Sequence, residues 1–392
     1  MTFETTRHGL APPIDAIRTR QGSGWHLFSP RQAGLLAVQG WLASRLVIFV
    51  VALVVAWTSG RSLADTFNQW DVVHFSAIAT QGYTTLTESA FFPGMPLAMA
   101  FFHLIGVSPL LSGTLISVVG SGLAAWALYR LAGGSTGGTV AVWAWSFAPM
   151  AVFTFVPYSE AVFCACGFWA FLRATEGRWA QVAWLAGAAC LFRVSGLFLI
   201  GALGLVALSA PGQAWRDRLR HLACLLLPVV VLFGYVLFLR LRFGSWTAWF
   251  EAQSTGWGRS FHWPWEALRT TLMAAGITSA ADANSIMFRW ELFTAVIGVV
   301  TTAWCLARRR WAQAGWVAVQ LIALSCQIWL ISLSRTILLW FPIFLGLGAL
   351  GRECASRRQQ TIHRIAVAAL IGVESVAMIW WAHRFFTGAW AS

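Results

Sequence analysis

"AGLLAVQGWLASRLVIFVVALVVAWT", residues 33–58, contains one charged residue, Arg45, in 26 positions. Coiled into a helix at about 1.5 Å per residue, it reaches roughly 39 Å, more than the ~30 Å hydrocarbon core of a bilayer. A secretory signal core is about 7–15 residues long, so this run reads as a first transmembrane helix. The polar leader before it, residues 1–32, carries Arg7, Arg18, Arg20 and Arg31 and is expected on the cytoplasmic side.

Apolar runs of this kind recur to residue 385. Of the 392 residues, 58% are hydrophobic and 10% charged. A soluble domain carries about 25% charged residues, so composition excludes one. In lipid every backbone donor and acceptor must be satisfied internally, and the runs are too long for barrel strands. The chain is therefore expected to be an all-α polytopic membrane protein, with one integral membrane domain over 33–385 and a short tail, 386–392. Its net charge of +13 comes from 27 basic residues, all Arg. They are scattered among helices, which suits positively charged cytoplasmic loops and argues against a nucleic-acid partner. The absence of Lys suits a GC-rich, bacterial genome. Seven cysteines, mostly within apolar runs and without a CxxC pair, read as small core residues.

The apolar segments lie near 33–58, 90–107, 111–131, 137–155, 158–174, 179–210, 219–241, 291–307, 313–333, 336–351 and 361–385. Pro93 and Pro96 interrupt 90–107, and "FRVSG" breaks 179–210. If the first does not cross and the second is a broken pair, about eleven spans result. Arg130, Arg173, Arg178 and the 216–220 cluster then fall on the cytoplasmic side. Segment 59–110 becomes a first extracytoplasmic loop with interfacial helices, and 242–290 a large extracytoplasmic loop. Asp71, His74, Glu160, Arg193, Arg259 and Arg335 collect at the extracytoplasmic face of this multi-pass protein of the cytoplasmic membrane.

The chemistry begins with "QWDVVHFSAIATQGY", 69–83. Asp71 and His74 are three apart and share a face of a helix expected from Trp70 to Ala79, with Trp70 and Phe75 in the headgroup layer. Capping is the plain reading of Asp71, and also of Glu160, which follows a Pro-Tyr-Ser turn. Arg193, deep in apolar sequence, needs a partner or a polar cavity. Arg335 begins a helix, where a bound anion explains a cation better than the dipole does; a snorkelling anchor is the alternative. Glu374, alone in the last helix, suggests an interhelical hydrogen bond. "WTAWFEAQSTGWGRSFHWPWEALRTTL", 246–272, holds five Trp. These suit interfacial anchoring, and their faces also suit sugars. No phosphate loop, dinucleotide fingerprint, nucleophile elbow or zinc spacing occurs.

"WDVVHFSAIATQGY" followed by "AFFPGMP", 90–96, resembles the signature of the PIG-V mannosyltransferases, a GPI mannosyltransferase family. "PYSEAVF" at 157–163, "FRVSG" at 192–196, "FEAQSTGWGR" at 250–259 and "SRTILLWFP" at 334–342 match in order over most of the chain. The resemblance implies a C-type glycosyltransferase fold, with an acidic motif in the first extracytoplasmic loop and a polyprenyl-phosphate mannose donor. It implies inverting transfer of mannose to a glycan, glycolipid or protein acceptor, giving an α-mannoside. Bacteria lack GPI anchors, so the acceptor differs from that of the family's eukaryotic members.

In this reading Asp71 is the catalytic base. His74, Arg193 and Arg335 bind the donor phosphate, and Trp70, Glu160, Gln253, Trp257 and Arg259 bind substrate. No cofactor is expected, with a divalent metal left open. A secondary transporter or a non-catalytic lipid-binding protein are the alternatives from other classes.

Overall fold

The computed structural model describes residues 29–350 and 356–391; most of the leader, over 1–28, residues 351–355 and the last residue of the tail lie outside them. Among the described residues the chain is helical, without strands. Eighteen α-helices follow in order. The first part of the chain gives α1 (Pro30–Ser59), α2 (Leu63–Phe67), α3 (Asp71–Gln81), α4 (Gly94–His103), α5 (Pro109–Leu131) and α6 (Thr136–Ser146). The middle gives α7 (Glu160–Thr175), α8 (Trp179–Phe192), α9 (Ser195–Ser209), α10 (Trp215–Cys224), α11 (Leu226–Phe243), α12 (Ala248–Trp257) and α13 (Pro264–Ala274). The last part gives α14 (Ser285–Ala307), α15 (Trp311–Ser325), α16 (Leu333–Thr336), α17 (Phe341–Leu350) and α18 (Arg357–Thr387).

Local chemistry sets the ends. At α1, Ser29 Oγ accepts from the Gln32 N–H and Gln32 Oε1 accepts from the Ser29 N–H, a capping box behind Pro30. Gly60, at φ 66°, closes the helix in the left-handed region. Arg45 is buried in the middle of α1, where it donates to the Thr154 carbonyl and hydroxyl and to the Ser146 carbonyl. An intramembrane cation is thereby satisfied by backbone and hydroxyl oxygens.

Segment 90–107 forms only the ten-residue α4, too short to cross alone, as expected of a proline-bracketed stretch. Segment 179–210 does break, with Arg193 extended between α8 and α9. Gly196 permits the tight return, because a Cβ there would lie 2.7 Å from Cys190 Cα. The eleven-span count meets a different geometry. Among the described residues five helices are long and apolar enough to cross a membrane alone, namely α1, α5, α10 with α11, α14 and α18. The α16–α17 pair, bent by 62°, makes a sixth if counted as one span. Run 137–155 stops as α6 at Ser146, because Pro149 disfavours helix just before it. The expected loop 242–290 contains α12 and α13.

α7 packs on α5 and α8, α6 on α1 and α17, and α15 on α9 and α14. The close contacts run through small residues. A Cβ on Gly348 of α17 would lie 2.2 Å from the Gly137 carbonyl oxygen of α6, and one on Gly94 would lie 2.8 Å from that of Leu191. α7 and α8 run antiparallel. At one end Glu176 pairs with Arg130, Arg173 and Arg178. At the other end the start of α7 meets the end of α8.

Candidate active site

That second end is where the scarce charges converge. Trp70 takes a positive-φ backbone conformation, φ 53° and ψ −128°, and turns the chain into α3 so that Asp71 is its first residue. The Asp71 N–H donates to Tyr158 Oη at 3.2 Å, tying α3 to the turn that starts α7. The Tyr158 carbonyl is held in turn by Ser117 Oγ on α5, at 3.2 Å.

Glu160, the first residue of α7, is fully buried. Its Oε1 lies 2.7 Å from Arg193 Nη1 and 2.9 Å from Arg335 Nε. Both are ion pairs by distance without hydrogen-bond alignment, and neither Glu160 oxygen has an aligned donor. Arg193 Nη1 also donates to Ser159 Oγ at 3.1 Å. Arg335 Nη1 donates to Asp71 Oδ2 at 3.4 Å, a long contact. Its guanidinium carbon sits 5.3 Å from the Phe153 ring centre and 5.5 Å from that of Tyr158, within cation–π range.

Arg259, after α12, donates to Gln253 Oε1 at 3.0 Å and to Ser332 Oγ at 3.2 Å. Burial, followed by repulsion from Arg335, lowers the Arg259 pKa to about 10. The Nε groups of Arg193, Arg259 and Arg335 are buried without an aligned acceptor. Arg335 thus pairs with Asp71 and Glu160, Arg193 pairs with Glu160, and Arg259 lies near enough to feel their charge, each with a donor left unspent. An anion bound among them would take those donors and relieve the repulsion.

The structure therefore joins Asp71, Glu160, Arg193 and Arg335, with Tyr158 and Ser159, in one bonded cluster, and fastens Gln253 and Arg259 to Ser332, three residues before Arg335 in the chain. Several local readings change. Glu160 is not a cap, since its side chain faces two guanidiniums. Arg335 is no snorkelling anchor, because its side chain is 11% exposed and its partners are protein carboxylates. Trp70, not Asp71, occupies the N-cap position. Phe75 is core, edge-on to Phe91 and Tyr158, and not a headgroup-layer residue.

His74 stacks on Phe91 at 4.8 Å, with Trp257 at 6.0 Å, and no hydrogen bond joins it to Asp71. Trp70 is exposed. The expected hydrogen bond of Glu374 is missing at Oε2, which is buried without a partner. Among the described residues no group of three or more His, Cys, Asp or Glu converges as metal ligands.

Sequence reasoning did not single out Tyr158, Ser159, Ser332 or Glu291. Tyr158 and Ser159 sit inside the quoted "PYSE", and Glu291 is the lone carboxylate at the mouth of an apolar run.

No family model matches the sequence, and no curated protein matches it. Among solved structures it is similar to ArnT from Cupriavidus metallidurans bound to undecaprenyl phosphate, with a TM-score of 0.51 and 14% identity over 87% of this chain and 69% of that one. It is also similar to the Archaeoglobus fulgidus oligosaccharyltransferase in complex with zinc and sulfate, with a TM-score of 0.48 and 11% identity over 88% of this chain and 53% of that one. At such identities the likeness speaks to architecture. The chain has the all-helical C-type glycosyltransferase fold of a multi-pass membrane protein.

Proposed function

We propose that this protein is an inverting glycosyltransferase that moves mannose from polyprenyl-phosphate mannose to an extracytoplasmic acceptor. The observation that carries the reading is the cluster itself, in which a partly exposed carboxylate, Asp71, stands beside guanidiniums with unspent donors. A lipid-phosphate donor is further supported by the likeness to ArnT, whose structure holds undecaprenyl phosphate. Mannose, and the α-mannoside that inversion of a β-linked donor would give, rest on the resemblance of the sequence motifs.

The residues divide the work as follows. The acceptor hydroxyl gives its proton to an Asp71 carboxylate oxygen as its own oxygen attacks the sugar C1. The C1–O bond to phosphate breaks, and its electron pair leaves with the polyprenyl phosphate. Arg335, Arg193 and Arg259 take up the negative charge that grows there, through charge-assisted bonds aimed before the reaction starts. Glu160 holds Arg193 and Arg335 in place by pairing with both. Trp257 and His74 offer aromatic faces to a sugar ring.

The test is transfer of radiolabelled mannose from polyprenyl-phosphate mannose by purified protein in vesicles, with membrane glycolipids and glycoproteins of a deletion strain followed by mass spectrometry. Loss of a mannosylated product in the strain, with transfer in vitro, supports the reading. Transfer of a different lipid-linked sugar would reject mannose and keep the reaction class. Solute uptake without transfer would favour a transporter.

A further inference from the structure

Arg335 and the anchor of Arg259 both depend on one short turn, 332–334. Ser332 has φ 60° and ψ 11°, a left-handed conformation that a residue with a Cβ adopts only when its surroundings hold it. What holds it is a carboxylate from another helix. Glu291, on α14 and 1% exposed, accepts from the Ser334 N–H at 2.8 Å and from Ser334 Oγ at 2.9 Å. The backbone N–H groups of Ser332 and Leu333 lie near the same carboxylate.

A left-handed residue followed by a right-handed one points successive N–H groups into one hollow, which suits a negative group. Here the negative group is built in. The same turn sends Ser332 Oγ to Arg259 and places Arg335 one residue further on, against Asp71 and Glu160.

We infer that Glu291 is a positioning residue: its carboxylate fills the hollow of the 332–334 turn and so aims Arg335 and Arg259 together. It does not touch the reacting groups itself. A buried carboxylate placed on a turn is a costly device, and the N–H and hydroxyl of Ser334 are what offset that cost. An amide in its place keeps one acceptor and brings an N–H₂ that faces donors. Glu291→Gln should therefore loosen the turn without emptying the space.

The inference rests on the reading of the cluster as a lipid-phosphate site, so two readouts are needed. The first is binding of undecaprenyl phosphate to purified protein, measured for wild type, Glu291→Gln, Arg335→Ala and the double variant. Glu291→Gln should weaken binding about tenfold or more, and should cost clearly less in the Arg335→Ala background, because only its effect on Arg259 then remains. Additive losses, or unchanged binding in Glu291→Gln, would overturn the inference.

The second readout is amide hydrogen exchange by mass spectrometry, without ligand. Peptides covering 332–339 and 253–259 should exchange faster in Glu291→Gln, while α7 and α8 do not change. Uniform acceleration everywhere, or none, would overturn the inference whatever the binding shows. If wild-type protein binds no undecaprenyl phosphate, the donor reading fails alone, and the exchange pattern decides the role of Glu291.

Discussion

Removing Arg335 does two things at once. It strips a guanidinium from the proposed phosphate site, and it leaves fully buried Glu160 with Arg193 alone. Breaking a buried pair from one side costs about 3–5 kcal/mol. Arg335→Ala should therefore lower both protein abundance and transfer. Arg335→Lys keeps a charge but loses the fork, so abundance should stay near normal while transfer falls roughly 10- to 150-fold, the equivalent of a lost charge-assisted bond of about 1.5–3 kcal/mol. Quantified membrane protein against donor-dependent rates separates the two effects, and a fully active Lys variant would remove Arg335 from the site. Asp71 is simpler, being partly exposed with one long contact. Asp71→Asn should cut transfer by about 10²–10⁴ with abundance and undecaprenyl phosphate binding preserved. At this scale the sequence was legible wherever charge was scarce: Asp71, Arg193 and Arg335 stood out because lipid makes them costly. Their pairing was not legible, since Glu160 lies 33 residues from Arg193 and 175 from Arg335, and only packing reveals that they meet. Glu291 was hidden because a carboxylate at the start of an apolar run reads as the edge of a helix.

Among the elements, close approach through glycine makes a direct test. A Cβ at position 348 would stand 2.2 Å from the Gly137 carbonyl oxygen, and both atoms belong to backbones that cannot turn aside. Gly348→Ala should push α17 off α6 and lower the thermal unfolding midpoint in detergent, at a cost of about 1–3 kcal/mol. Gly234→Ala, where nothing lies within 4 Å, serves as the control and should hold or slightly raise the midpoint. Equal midpoints for the two variants would show that α6 and α17 do not pack this tightly. Apolar runs located most helices, and "FRVSG" correctly marked the return between α8 and α9. Helix ends inside apolar sequence were harder to read. Pro149 ends α6 early, and a bend next to Pro342 separates α17 from α16, whereas hydropathy sees an unbroken run in both places.

For the whole molecule, the two ends of the bundle differ in kind. One gathers Arg130, Arg173 and Arg178 around a single Glu176, and the other gathers Asp71, Glu160, Arg193 and Arg335. On a cysteine-free background, single cysteines placed in 59–69 or 258–263 should react with impermeant thiol reagents in intact cells. Cysteines in 132–135 or 176–178 should be protected until the membrane is opened. Labelling of 132–135 from outside would reverse the assigned orientation. The arginine bias leads to the same expectation from composition alone, because each loop votes separately and no contact need be known, and the labelling tests it.

The hairpin that joins these two ends has a further consequence. α7 has 16 residues and α8 has 14, so their axes measure only about 24 and 21 Å. A bilayer core of ~30 Å is thicker than either, and a short element meets it by drawing the leaflet inward at a modest cost for each ångström of mismatch. The dimple would lie over Glu160 and Arg193, where the two helices end. A phosphate headgroup resting in it would come down toward the guanidiniums, with its isoprenoid chain still in oil. Membrane thickness then becomes a substrate-delivery variable. In vesicles of graded acyl length at matched fluidity, transfer should be fastest in thin bilayers and slow steadily as they thicken. A rate indifferent to thickness would mean that the surrounding longer helices, and not this hairpin, set the local surface of the lipid.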